Sequence, residues 1–183
     1  EELITKIKSF HGTSMKDFFP ELFGNKWQQA GEIYLNYYKK NSKNHLKFMP
    51  FAEKLIDFLY KKNITILVLS NKTGDTLRQE IKFFNLTKKF FATVGSGDAE
   101  FDKPNKKTVD FCLKNININP KQDLIWFVGD SEVDLQCALN SNCFPILCNE
   151  NPSIKAQKIL DNNDILFLKN HQNFIDYLNA HNQ

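Results

Sequence analysis

The chain has 183 residues, 42% of them hydrophobic, and carries 24 basic against 21 acidic residues for a net charge of +3. That length suits one full core with a smaller satellite unit. The charges are scattered, with no basic run interleaved by aromatics to mark a nucleic-acid surface, and the longest apolar runs, such as residues 64–69, fall far short of the ~18 residues that span a bilayer.

The opening stretch, EELITKIKSF, lacks the basic start and apolar run of a secretory signal, so a cytoplasmic setting is expected. The same stretch is charged and helix-patterned. It is followed by SMKDFFPELFG and KWQQAGEIYLNYYKK, where Trp27, Ile33, Tyr34, Tyr37 and Tyr38 recur at near-helical spacing. Residues 1–47 therefore read as a small all-helical unit. In HGTS, residues 11–14, Thr13 or Ser14 is placed to cap the second helix.

From Met49 the rhythm changes. A helix over 50–61 leads to a strand over 64–70, then a helix over 74–85, a strand over 90–96, a helix over 105–116 and a strand over 123–130. A helix over 132–142, a strand over 144–149, a helix over 152–162, a strand over 164–168 and a helix over 171–182 complete the alternation. The pattern predicts an α/β fold, a three-layer parallel sheet with crossover helices. The strands 64–70 and 123–130 are apolar on successive residues, which predicts cover by helices on both faces. The four cysteines, Cys112, Cys137, Cys143 and Cys148, lie in or beside apolar segments without CxxC or a metal spacing and read as reduced core residues. A redox pair between Cys143 and Cys148 is the lesser alternative.

In open parallel sheets, ligands bind beyond the carboxyl ends of the strands. There the sequence places Ser70-Asn71, then Lys103 in FDKPNK, then Asp130 and Asp134 in GDSEVD. Taken singly, Ser70-Asn71 is an ordinary helix cap, Lys103 a solvated loop lysine, and the two acids a turn residue and a helix-dipole partner. Taken together, a hydroxyl with backbone amides, an ammonium and a carboxylate pair suit a phosphoryl group held beside a divalent cation.

These residues, in this order, resemble the haloacid dehalogenase superfamily of phosphohydrolases, in its phosphoglycolate phosphatase-like branch. The resemblance covers residues 48–183. It implies a Rossmann-like core there and a mobile helical cap, in part, over 1–47. It also implies that Ser70, with Asn71 beside it, binds the phosphoryl oxygens, and that Lys103 steadies nucleophile and phosphate. Asp130 would bind Mg2+, with Asp134 in support. The implied activity is hydrolysis of a small phosphorylated metabolite, and Gly12, Thr13 and Ser14 are candidates for substrate contact.

The family's nucleophile is the first Asp of a DxDxT motif, whose second Asp is the general acid-base. No DxD occurs in these 183 residues. The resembled fold places that motif's strand between strands 64–70 and 123–130, so a gap of roughly two ~4.8 Å spacings is expected there, and the chain alone is expected to be inactive. A part of a longer chain is favoured over a catalytically dead relative.

Other readings are a non-catalytic phosphate-binding module and a receiver-like domain with Asp130 as phospho-acceptor. Within the family, the intact GDSEVD disfavours metal-free dehalogenases. Mutases and phosphonatases remain, the latter needing a cap lysine, for which Lys6, Lys8 and Lys16 are unranked. His11, His45, His171 and His181 show no pairing motif and receive no chemistry.

Overall fold

The computed structural model describes residues 2–116 and 118–181. Three helices come first, α1 (Glu2–Ser9), α2 (Met15–Phe23) and α3 (Trp27–Asn41). Aromatic rings hold this layer together: Phe10 stacks on Phe18 with centroids 5.2 Å apart, and Phe19 meets Tyr34 edge-on at 5.9 Å.

Helix α4 (Ala52–Lys61) then opens the alternation of β1 (Leu67–Thr73), α5 (Gly74–Phe83), β2 (Ala92–Ser96), α6 (Lys106–Leu113) and β3 (Trp126–Gly129). It continues through α7 (Glu132–Asn140), β4 (Phe144–Cys148), α8 (Ile154–Asp161), β5 (Leu166–Leu168) and α9 (His171–His181). Asparagine stops several of these helices. Asn63, Asn85 and Asn142 follow α4, α5 and α7 with φ of 56°, 57° and 54°, the left-handed conformation that asparagine tolerates best after glycine. Helix starts are capped as well: Asn105 accepts from the Lys107 amide at 3.0 Å and Ser153 from the Ala156 amide at 3.1 Å.

All strand pairs are parallel. They form two sheets, β1 with β2 and β3–β4–β5, and among the described residues β1 and β3 are not paired with each other. Helices close over this seam from both faces. On one face, α4 sends Leu55, Phe58 and Leu59 against Ile146 and Trp126, and Ile56 toward the cluster that includes Val68. On the other, Val109 and Leu113 of α6 and Cys137 and Ala138 of α7 pack with Leu67, Leu69 and Phe127. Alternate strand residues thus point to opposite layers, as a period of two requires.

One strand expectation changes. The strand expected over 64–70 runs over Leu67–Thr73, and its register with β2 breaks between Leu69 and Thr73. Ser70 therefore sits in a local irregularity of the strand, a feature that re-aims side chains beside active sites. Both central strands have helices on both faces, as expected, but each is open along the edge that faces the seam. All of β1 is half-buried and Val128 of β3 is 39% exposed, whereas β4 is buried from Pro145 to Cys148. The cause is the seam: among the described residues, β1 and β3 each have a strand on one side only.

Candidate active site

Asp130 and Ser131 turn the chain from β3 into α7, and the turn is built around Asp134. Its Oδ2 accepts from the Asp130 amide at 3.1 Å, the Ser131 amide at 3.1 Å and the Ser131 hydroxyl at 2.7 Å, forming a capping box at the start of α7. Gly129 permits this. A Cβ there would lie 2.1 Å from the Asp134 Cβ, so the close return of the helix onto the strand end needs glycine.

The other oxygen, Asp134 Oδ1, meets Lys103 Nζ at 2.5 Å, and both side chains are nearly buried, at 8% and 10% exposure. Burial opposes ionisation of Asp134. The Lys103 ammonium, the Ser131 hydroxyl and the backbone amides outweigh it and hold the carboxyl below its ordinary value. Asp130 goes the other way. The surrounding protein mass raises its pKa and the Asp134 charge adds to the rise, against the pull of His11 and Lys103, although the residue as a whole reaches solvent. Asn149 Nδ2 donates to the Asp130 carbonyl at 2.7 Å and anchors the loop to the end of β4.

Strand β1 brings Ser70 and Asn71 to the same end of the molecule. The Ser70 hydroxyl accepts from the Lys72 amide at 3.1 Å. The Asn71 carboxamide donates to the Gly12 carbonyl and to the Lys103 carbonyl and accepts from the Lys103 amide, so its N–H capacity is committed within the protein. A cleft of about 430 Å³ opens beside Lys103, lined by Lys16, Asp17, Asp102 and Asn140 among others. A larger one, about 480 Å³, lies between α3 and the start of α5. Both clefts are lined by charged residues, and the one beside Lys103 is the one that includes a residue of this group.

The turn 11–14 lies over this end of the core. A Cβ on Gly12, whose φ is +83°, would come within 2.8 Å of the Ser131 hydroxyl. The Thr13 amide bonds the Phe10 carbonyl at 2.9 Å, and the fully buried Ser14 donates its hydroxyl to Asp17 at 2.7 Å. Lys6 pairs with Glu21 at 3.5 Å and Lys16 with Asp102 at 3.2 Å, while the side chain of Lys8 lies outside the described residues. The structure thus brings Ser70, Asn71, Lys103, Asp130 and Asp134 to one end with Gly12 above them. His11, given no chemistry from sequence, acts electrostatically on Asp130. The sequence signal that could have drawn notice is the glycine that follows it, Gly12. The cysteines are free and buried, and Cys143 and Cys148 form no pair.

A family model described as haloacid dehalogenase-like hydrolase matches residues 4–147. Pyrophosphatase PpaX of Oceanobacillus iheyensis is 21% identical over 140 residues, 75% of this chain, and the chain spans 63% of the length of that curated relative. Among solved structures, a HAD-superfamily hydrolase from Ehrlichia chaffeensis is 31% identical, with a TM-score of 0.66 over 92% of this chain and 76% of that one. A predicted phosphatase from Clostridium acetobutylicum, at 20% identity, has a TM-score of 0.75 over 94% of this chain and 82% of its own. A predicted phosphoglycolate phosphatase from Haemophilus somnus, at 18% identity, has 0.73 over 84% and 67%. At such identities these last two share the fold.

Proposed function

The chain belongs to the haloacid dehalogenase-like hydrolase family, and on that premise we propose that the complete protein is a magnesium-dependent phosphomonoester hydrolase, phosphoglycolate phosphatase-like, acting on a small phosphorylated metabolite. One observation carries the reading: the Lys103–Asp134 pair, the Asp130 carboxylate and the Ser70 irregularity stand at one end of two parallel sheets, beneath a helical layer. In this reading Ser70 and Lys103 bind the phosphoryl oxygens, Asp134 holds Lys103 in place, and α1–α3 form the cap that selects substrate.

The nucleophile is proposed to come from a further parallel strand seated in the seam between β1 and β3. Such a strand would satisfy the free backbone edges of both and carry the DxDxT carboxylates to the site. Its first Asp would attack phosphorus and its second would protonate the leaving oxygen, then activate the water that hydrolyses the aspartyl-phosphate. Without that strand, the 183 residues are expected to show almost no turnover.

Magnesium takes about six oxygen ligands. Among the described residues no group of three His, Cys, Asp or Glu side chains could hold a metal, so Asp130 is one ligand of a set that the seam strand and water would complete. Its carboxyl, pushed up by crowding and by Asp134, is in a setting that a cation relieves. When bound, the metal supplies charge neutralisation at the phosphoryl oxygens.

The test is phosphate release from a panel of small phosphomonoesters by the complete protein, with and without chelator, alongside Asp130→Asn. Loss of at least about a hundredfold in both cases is expected. Tight phosphate-ester binding without hydrolysis would favour the non-catalytic phosphate-binding module instead.

A further inference from the structure

One carboxamide reaches three segments of the chain. Asn71 Nδ2 donates to the Gly12 carbonyl at 2.8 Å and to the Lys103 carbonyl at 3.0 Å, and its Oδ1 accepts from the Lys103 amide at 2.9 Å. Lys103 is thereby held at both its backbone donor and its backbone acceptor, which fixes the orientation of the residue and the direction its side chain leaves. The third bond ties the same carboxamide to the turn that leads into α2.

A second tether runs from α2 to the residue before Lys103. The Asp102 carboxylate is almost fully buried, at 1% side-chain exposure, and accepts from the Ser96 hydroxyl at 2.6 Å while pairing with Lys16 at 3.2 Å. A carboxylate this buried is costly without a cation, so undocking α2 would leave Asp102 with one hydroxyl for compensation. The loop around Lys103 is thus tied to the helical layer at two separate points, from Gly12 through the Asn71 carboxamide and from Lys16 directly to Asp102.

We infer that Asn71 and the Lys16–Asp102 pair are positioning residues that couple the seating of the helical layer to the placement of the Lys103 ammonium. The inference rests on the proposed phosphate role of Lys103 for its functional meaning. The coupling itself is a property of the contacts. With the layer docked, Lys103 is delivered to Asp134 in the geometry just described. With it lifted, the Asn71 carboxamide loses its bond to Gly12 and Asp102 loses its cation, so the lysine is no longer held to one place. Substrate entry and placement of the phosphate-side charge then become one event, which matters because misplacement by about 1 Å can cost on the order of a hundredfold in rate.

The experiment uses the 183-residue chain labelled with nitrogen-15, following amide signals and hydrogen exchange residue by residue, and needs no activity. The variants are Asn71→Ala and Lys16→Met, read against the core amides of Ile146 and Leu147. Lys16→Met touches no atom of Lys103, yet it is expected to shift the Lys103 amide signal and to speed exchange about tenfold both in 11–14 and in 102–105. Asn71→Ala is expected to do the same in both segments. If Lys16→Met affects only its own turn, or if Asn71→Ala loosens the Lys103 loop and leaves 11–14 unchanged, the coupling is wrong. If the coupling holds while the complete protein hydrolyses no phosphomonoester, the hydrolase reading alone falls.

Discussion

Strands β3 and β4 are neighbours of similar apolar character, yet they end in different environments. Strand β4 has a strand on each side, and Ile146 and Leu147 are fully buried at 0% exposure. Among the described residues strand β3, like β1 across the seam, has a partner on one side only, and Val128 remains 39% exposed. Burial of a strand is therefore set by what lies beside it, and the charged groups of the proposed site gather where the sheet is open. The inner strand β4 is buried on all sides, and the proposed site lies beside the open seam.

The contrast is sharpened most by large-to-small substitutions. Ile146→Ala should cost about 4 kcal/mol in denaturant unfolding, the range for a buried aliphatic that leaves a cavity. Val128→Ala in the same sheet should cost about 1 kcal/mol or less, because much of its side chain already meets water. Equal losses at the two positions would break the comparison.

Next in size is Lys103→Met. It leaves Asp134 buried with only the Ser131 hydroxyl and two amides for partners, and should cost about 3 kcal/mol, the penalty for an orphaned buried charge. The double variant Lys103→Met/Asp134→Leu should recover part of that loss, and a double variant less stable than the single one would deny that the pair is coupled.

Thiol chemistry distinguishes the two halves more gently. Burial pushes Cys148, on β4, up to about 11 and Cys137, on a helix over the seam, up to about 12. Neither should react with a disulfide reagent at pH 8 in the folded state. Cys137 should become reactive first as denaturant is raised if the seam opens before the β3–β4–β5 sheet. Simultaneous release of both would make the molecule one cooperative unit.

The smallest effect concerns the β1–β2 side. Burial works against the Asp98 carboxylate, but Arg78 and the Gly95 amide hold it below its usual value. A depressed carboxyl contributes stability that is present above its unfolded pKa of about 3.9 and is lost as pH falls through the lower folded value. The pair is partly exposed, so the contribution is below about 1 kcal/mol. Asp98→Asn should flatten the acid side of the stability profile by that amount, and a steeper profile in the variant would reverse the assignment.

The helices and strands were legible because each rests on local patterning: apolar residues at helical spacing in 27–38 and apolar runs at 126–129 and 144–148. The order Ser70, Lys103, Asp130 was legible through the rule that strand ends carry sites. The gathering of these residues was then expected from the topology. The rest depends on long-range contact that no periodicity encodes. Asn71 meets Gly12 across 59 positions and Lys103 across 32, and Lys16 finds Asp102 from another layer. The start of β1 was misplaced because Ile64 and Ile66 extend the apolar run while lying before the paired segment that begins at Leu67.

The most direct measurement is magnesium-dependent phosphate release by the 183-residue chain alone and by the same chain supplied with the proposed seam strand that carries DxDxT. The account predicts almost no turnover from the first and turnover from the second that disappears in Asp130→Asn. Substantial Asp130-dependent turnover by the 183 residues alone would contradict it, because the seam would then need no strand to complete the site.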